Sequence, residues 1–258
     1  PDTLQSIDSK AFAYLNYNKT AYITEVGIPA SVTSLAKDAF YLASGLKKIN
    51  VADGNAAYVS SNGIVMLKDT GEIYIWPQGN ETTEFTLPST MTEIPDKMFQ
   101  NNTSLKKVVV PASVTKVGTY AFSSSGIEEI YFEDSANGLT VGAFAFYNCP
   151  NLTSLRLPYG LTSIGASAIS KTGLETIVIP DTVTEMGGSA LAYNDALKNV
   201  TLSKSLTAVP SRGFVGCEAL TELTLPASIQ DCGVSNTVNA FTDCVNLQNI
   251  FVADGSLY

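Results

Sequence analysis

The chain has 258 residues, of which 45% are hydrophobic, and it carries a formal net charge of −9 with a pI near 4.5. This negative charge argues against a nucleic-acid backbone or an anionic membrane surface as a partner. Histidine is absent from the sequence, which excludes Ser-His-Asp and Cys-His catalysis and removes the commonest zinc ligand. No apolar run reaches the roughly 18 residues that a transmembrane helix needs.

One sequence unit recurs along the chain and is clearest at 105–122, which reads LKKVVVPASVTKVGTYAF. Its first part alternates apolar and other residues, which predicts a short strand with one buried face. Pro111 ends this strand, because proline has no N–H group to donate. A large apolar residue, here called the anchor, ends each unit; the anchors are Phe12, Phe40, Phe99, Phe122, Phe146, Ile169, Leu191, Phe214 and Phe241.

The spacing of the anchors predicts a solenoid. From Phe99 onward successive anchors lie 22–27 residues apart, and a near-constant step of this size is typical of stacked repeats. A single strand cannot bury its apolar face, whereas stacked coils bury a continuous core. In chain order, residues 1–22 hold a partial coil and residues 23–51 form the first complete coil. Residues 84–258 run as regular coils, with a small insertion at 133–138 and a four-residue insertion within 229–241.

Residues 52–83 interrupt the period. Three strand-like runs lie within them, separated by turn residues: Ala56–Ser60, Ile64–Leu67 and Glu72–Trp76. Asn62-Gly63 stands between the first two runs, and Asn-Gly is a strong signal for a β-hairpin. We therefore expect a small antiparallel β excursion that protrudes from a single leucine-rich repeat domain spanning 1–258.

The repeat resembles that of BspA-like (Treponema-type) bacterial surface proteins, in the form L-x-x-I-x-L-P-x-x-V-T-x-I-G-x-x-A-F-x-x-C. The resemblance covers nearly the whole chain, in about nine copies. Ser203 departs from it by replacing the proline, and Ile169 and Leu191 depart by replacing the phenylalanine. Repeat and resemblance together predict an α/β, β-rich, right-handed leucine-rich repeat solenoid of about nine coils. We expect its main strands to be parallel and its Ala-Phe segments to form a helical turn.

The four cysteines are expected to be free. Cys149, Cys217 and Cys244 each follow an anchor by three residues, at a position that small residues fill in other coils. Such a position favours buried thiols, although neighbouring coils leave a Cys217–Cys244 disulfide conceivable. Cys232 stands where other coils have an apolar core residue. Neither a metal site nor any cofactor is predicted.

The main strands place one outward residue between each pair of buried residues. In four successive coils these positions hold Val109, Tyr131, Arg156 and Val178. In leucine-rich solenoids this sheet forms the concave surface, which repeat proteins use for binding, and tyrosine and arginine are common interface anchors. We therefore predict a ligand-binding patch of these four residues with Tyr159 and with Glu129, which we expect to orient Arg156.

The resemblance implies a non-enzymatic binding or adhesion protein, extracellular or on a bacterial surface. Its partners would be proteins or glycans of the host or of bacteria. A structural spacer or display scaffold in a larger surface protein is the alternative, and a degraded enzyme is disfavoured by the residues present. The segment 250–258 echoes 49–58, so we expect the chain to be part of a longer protein.

Overall fold

The computed structural model describes residues 3–15, 23–135, 138–232 and 239–253. These residues form short β-strands joined by turns and contain no helix. The strands are β1 (Ser6–Ile7), β2 (Glu25–Ile28), β3 (Ser34–Leu35), β4 (Lys48–Val51), β5 (Tyr58–Ser61), β6 (Ile64–Leu67), β7 (Ile73–Ile75), β8 (Glu84–Thr86), β9 (Glu93–Ile94), β10 (Lys107–Val110), β11 (Lys116–Val117), β12 (Glu129–Phe132), β13 (Leu139–Val141), β14 (Ser154–Arg156), β15 (Leu161–Ile164), β16 (Thr176–Val178), β17 (Glu185–Met186), β18 (Asn199–Thr201), β19 (Glu222–Leu225) and β20 (Asn249–Val252).

The described coils stack through parallel sheets, of which two have more than two strands. The strands β8, β10, β12 and β14 pair in that order to form the front sheet, and β9, β11, β13, β15 and β17 form the side sheet. In the front sheet Val108, Ile130 and Leu155 are direct register partners, so equivalent repeat positions lie side by side. The predicted solenoid of parallel strands is confirmed, with about ten turns.

The third side of each coil, here called the turn face, carries the Ala-Phe segments. Their backbones bond from coil to coil: Phe99 N donates to Ala121 O at 2.8 Å and Phe122 N to Ala145 O at 2.7 Å. The expected helical turn is wrong, because these segments form no helix. They are turns, and residues within them such as Tyr120, at φ 58°, have left-handed backbone angles. A β-solenoid therefore replaces the α/β description.

The anchors form the core. Phe99, Phe122 and Phe146 are fully buried and stack at centroid distances of 4.8 and 5.5 Å. Phe214 is separated from this stack by the coils of Ile169 and Leu191, and it stacks on Phe241 at 5.5 Å.

The excursion at 52–83 is part of the solenoid and does not protrude. The strands β5, β6 and β7 form an antiparallel sheet, and its two faces are buried on opposite sides. Val65, which is fully buried, packs into an N-terminal core that also contains Ile7 and Ile49. Ile64, 2% exposed, packs into the larger core of the later coils. The expected protrusion is wrong because this sheet joins the two cores.

Trp76 takes the place of an anchor in this coil. It precedes Phe99 by 23 residues, and its ring centroid lies 5.0 Å from that of Phe99 in an edge-to-face contact. The excursion is therefore an enlarged coil: 36 residues separate Phe40 from Trp76.

Candidate binding surfaces

The front sheet aligns most of the predicted patch. Val109 pairs with Tyr131, and Tyr131 pairs with Arg156, as direct register partners. Their side chains therefore stand on the outer face about 4.8 Å apart, the spacing between strands. Tyr131 is 40% exposed, Arg156 is exposed and Val109 is half-buried.

Arg156 is held in one orientation over Tyr131. Its guanidinium carbon lies 4.9 Å from the centre of the Tyr131 ring. One terminal nitrogen donates to Phe132 O at 2.6 Å, and the other donates to Asp134 Oδ2 at 2.6 Å. The hydrogen bond from Arg156 lowers the pKa of Asp134, and the same bond raises the pKa of Arg156.

Asp134, not Glu129, orients the arginine. Glu129 lies in the same row of the sheet as Lys107 and accepts a hydrogen bond from its Nζ at 3.0 Å. Asp134 follows β12, and its other oxygen accepts the backbone N–H of Tyr159 at 2.9 Å. It therefore connects Arg156 to Tyr159. Asp134 could not be predicted from the repeat, because it lies in the insertion at 133–138, where the repeat gives no register.

Of the remaining predicted residues, Tyr159 lies close to Arg156 along the chain, whereas Val178 lies on a strand of another sheet. Tyr159 is 70% exposed and lies three residues after the end of β14. Val178 is 63% exposed but lies on β16, which pairs with β18. In the described part of the chain no ladder joins β14 to β16, so Val178 does not extend the row by direct pairing.

A second surface, which the sequence analysis missed, lies on the turn face. We call it the aromatic band: Tyr120, Phe144, Tyr147, Lys171 and Tyr193. The rings of Tyr120 and Phe144 stack at 4.9 Å with an interplanar angle of 4°. Lys171 Nζ lies 5.6 Å from the ring centre of Tyr147 and 5.5 Å from that of Tyr193. The sequence contained one sign of this band, which is a shared repeat position. Tyr120 and Phe144 each precede the alanine of an Ala-Phe pair.

Neither surface, as described, holds a group of residues that could bind a metal ion. Over the described ranges no three histidine, cysteine, aspartate or glutamate residues cluster as metal ligands would. The same residues include no helix that could cross a bilayer.

Comparison with known proteins identifies the class to which this solenoid belongs. The family model for the BspA-type leucine-rich repeat region matches residues 1–64, 74–197 and 190–257. The chain therefore belongs to the BspA-type leucine-rich repeat family. A search of curated protein sequences found no match.

Solved bacterial structures share the fold. A leucine-rich repeat protein from Eubacterium ventriosum is 26% identical, with a TM-score of 0.73 over 88% of this chain and 60% of that one. The pneumococcal vaccine antigen PcpA is 23% identical, with a TM-score of 0.62 over 97% of this chain and 54% of that one. A leucine-rich cell surface protein from Faecalibacterium prausnitzii is 22% identical, with a TM-score of 0.50 over 98% of this chain and 84% of that one. The chain thus spans little more than half the length of the first two.

Proposed function

We propose that this chain is a non-enzymatic binding protein of a bacterial surface that contacts a protein or a glycan through the outer face of the front sheet. The observation that carries the proposal is the arrangement of Tyr131, Arg156 and Asp134. An exposed ring and an exposed guanidinium are fixed against each other on a sheet, with an exposed tyrosine, Tyr159, attached through Asp134.

The physical support is preorganisation. An arginine side chain normally loses rotamer freedom when it binds a partner, which costs about 0.5–1.5 kcal/mol. Here Asp134 and Phe132 O already hold Arg156 in place, so much of that cost is met before binding. Arginine and tyrosine are also the residue types that most often dominate binding energy.

The surface location rests on the family and on the names of similar proteins. The fold is shared with a protein described as a cell surface protein and with one described as a vaccine antigen. Both names suit an exposed bacterial protein, and they support the same location for this chain. A binding role also agrees with the extended surface that stacked repeats offer.

The test is a binding screen followed by a paired substitution. The intact chain is screened against immobilised extracellular-matrix proteins and glycans, and the Tyr131→Ala, Arg156→Ala double variant is then titrated against each binder. We expect the double variant to lose at least about 2 kcal/mol of affinity.

The matched control removes the same chemistry from the other face. Lys171→Ala with Tyr193→Ala also deletes a cation and a tyrosine ring in contact, and it should leave the affinity unchanged. Equal affinity of the front-sheet variant and the wild type would refute the proposal. Absence of any binder would instead favour the spacer or display scaffold.

A further inference from the structure

A cleft of about 200 Å³ opens on the turn face where the enlarged coil enters the solenoid. Three segments form its walls: 37–42, 74–78 and 95–101. In regular coils the turn-face backbones bond directly from one coil to the next. In the described chain no backbone hydrogen bond joins 37–42 to 74–78, and the cleft occupies this gap.

Two lysine–tyrosine pairs cross the cleft from wall to wall. Lys37 Nζ lies 5.5 Å from the ring centre of Tyr74, and Lys97 Nζ lies 5.3 Å from the ring centre of Tyr41. Each ammonium group is therefore held at the cleft by the face of a ring from a different wall. Both tyrosines are half-buried, whereas both lysines are exposed.

In the described part of the chain, neither lysine of the cleft has an ion-pair partner. Among the described residues neither Lys37 nor Lys97 lies within ion-pair distance of a carboxylate, whereas lysines of the sheets such as Lys107 and Lys198 have glutamate partners. Two carboxylates, those of Asp38 and Asp96, also line the cleft, but each accepts a hydrogen bond from a neighbouring coil. Asp38 accepts from Ser9 Oγ, and Asp96 accepts from Thr119 N, each at 2.8 Å.

We propose that this cleft binds a single acidic sugar ring, one that carries a carboxylate, at the end of an extracellular glycan. The volume is below the roughly 300–1,000 Å³ of sites for drug-sized ligands, so it suits one ring of a longer chain that continues into solvent. Met98 and the ring of Tyr41 form an apolar part of the lining for the C–H groups of the sugar ring. The amides of Gln78, Gln100 and Asn101 line the cleft for its hydroxyls, and the two lysines provide the charge for its carboxylate.

The site is independent of the proposed contact through the front sheet. Tyr131 and Arg156 lie on the front sheet, whereas the cleft lies on the turn face. Loss of one interaction therefore leaves the other measurable in the same protein.

The experiment is a calorimetric titration of the intact chain with 3′-sialyllactose, with a glucuronic-acid disaccharide and with neutral lactose. We expect at least one acidic probe to bind about tenfold or more tightly than lactose, with an affinity that falls as salt is added, because exposed charges are screened. The double variant Lys37→Met, Lys97→Met keeps an unbranched side chain without the charge and should lose at least about tenfold in affinity. Tyr41→Ala should weaken binding with both lysines in place.

Lys171→Met is the matched control, because this lysine also lies on tyrosine rings of the turn face but outside the cleft. Its affinity should equal that of the wild type. The proposal is overturned if neither acidic probe binds, if lactose binds as tightly as they do, or if the double variant keeps full affinity while its circular dichroism matches the wild type. It is also overturned if inorganic phosphate binds with the same dependence on both lysines and on Tyr41, since this would make the site a general anion site.

Discussion

At the scale of single residues, the side chain three residues after an anchor donates a hydrogen bond to the preceding coil in several coils. Cys149 Sγ donates to Phe122 O at 3.0 Å, and Cys217 Sγ donates to Leu191 O at 3.2 Å. Asn194 Nδ2 donates to Ile169 O at 2.8 Å. In each case the acceptor is the carbonyl of the previous anchor. A buried carbonyl without a partner is costly, which explains why cysteine and asparagine share this position.

This role could be predicted only in part. The sequence showed that the position holds small residues, and Cys149 and Cys217 are indeed buried and free, whereas Cys244 is free but only half-buried. The donor role was not visible, because alanine also occurs there and the acceptor lies on another coil. Cys232 was placed with the apolar core residues, but it is exposed, so its position does not repeat that of Val117.

We expect the cysteines to differ sharply in their rate of alkylation. Burial raises the pKa of Cys149, and it raises that of Cys217 to about 12. Because the thiolate is the reactive form, both should resist a maleimide in the native protein, while exposed Cys232 should react quickly. Intact mass after alkylation of the denatured, unreduced protein should show all four thiols labelled. Two labels would reveal a disulfide, and fast native labelling of Cys217 would contradict its burial.

At the scale of elements, the antiparallel sheet of the enlarged coil closes one edge of β3. Leu35 N donates to the hydroxyl of Tyr58 at 3.2 Å, and the hydroxyl of Tyr74 donates to Leu35 O at 2.6 Å. Two side chains thus take the place of the next parallel strand. An open strand edge is a site for unwanted pairing, so these tyrosines protect the strand where the side sheet is interrupted.

The pH dependence of stability tests this edge contact. Burial, with a further contribution from Tyr58, raises the pKa of Tyr74 from 10.0 to about 12. Because the folded pKa is the higher one, the stabilisation is fully present below pH 10 and is lost as the pH rises from 10 towards 12. The wild type should therefore be more stable than Tyr74→Phe at pH 8, and urea denaturation should show that this difference shrinks across that interval. A difference that stays constant from pH 10 to 12 would show that folding does not raise the pKa of Tyr74.

The anchor stack sets the stability of the regular coils. Phe122 is fully buried between Phe99 and Phe146, so Phe122→Ala should cost about 3–5 kcal/mol in the free energy of unfolding. Phe12 holds the equivalent position in the first coil but is 39% exposed, and Phe12→Ala should cost clearly less. Denaturant midpoints of the two variants provide the measurement. Equal losses would mean that the stack does not contribute through burial.

Element register was the most predictable feature. The alternation of Val108, Val109 and Val110 placed the middle residue outward, and the pairing of Val109 with Tyr131 follows from it. The anchor role of Trp76 was not recognised, because the Ala-Phe pair is replaced by Ile75-Trp76 at the end of a strand. The left-handed turn residues were also unpredicted, since tyrosine, phenylalanine and lysine rarely adopt positive φ.

At the scale of the whole molecule, the enlarged coil connects two cores. Val65 and Ile75 pack into the N-terminal core, whereas Ile64 and Trp76 pack into the core of the later coils. Removal of this sheet would expose both. This arrangement supports the proposal that residues 1–258 form one domain.

The front sheet and the turn face differ in what their positively charged side chains contact. On the front sheet Lys107 and Arg156 have carboxylate partners, whereas on the turn face Lys97 and Lys171 lie against aromatic rings. A chain with a net charge of −9 thus retains local positive groups on one side. Net charge alone could not reveal this, because pairing depends on which residues the coils bring together.

The most direct test of the proposed function is hydroxyl-radical footprinting of the chain bound to the protein or glycan selected in the binding screen. Tyr131 and Tyr159 are the exposed rings of the front-sheet patch, and Tyr193 is a ring of comparable exposure to Tyr131 on the turn face. We expect oxidation of Tyr131 and Tyr159 to fall on binding, while oxidation of Tyr193 stays at the level of the free chain. Protection confined to the turn face, with Tyr131 and Tyr159 oxidised as in the free protein, would contradict the account.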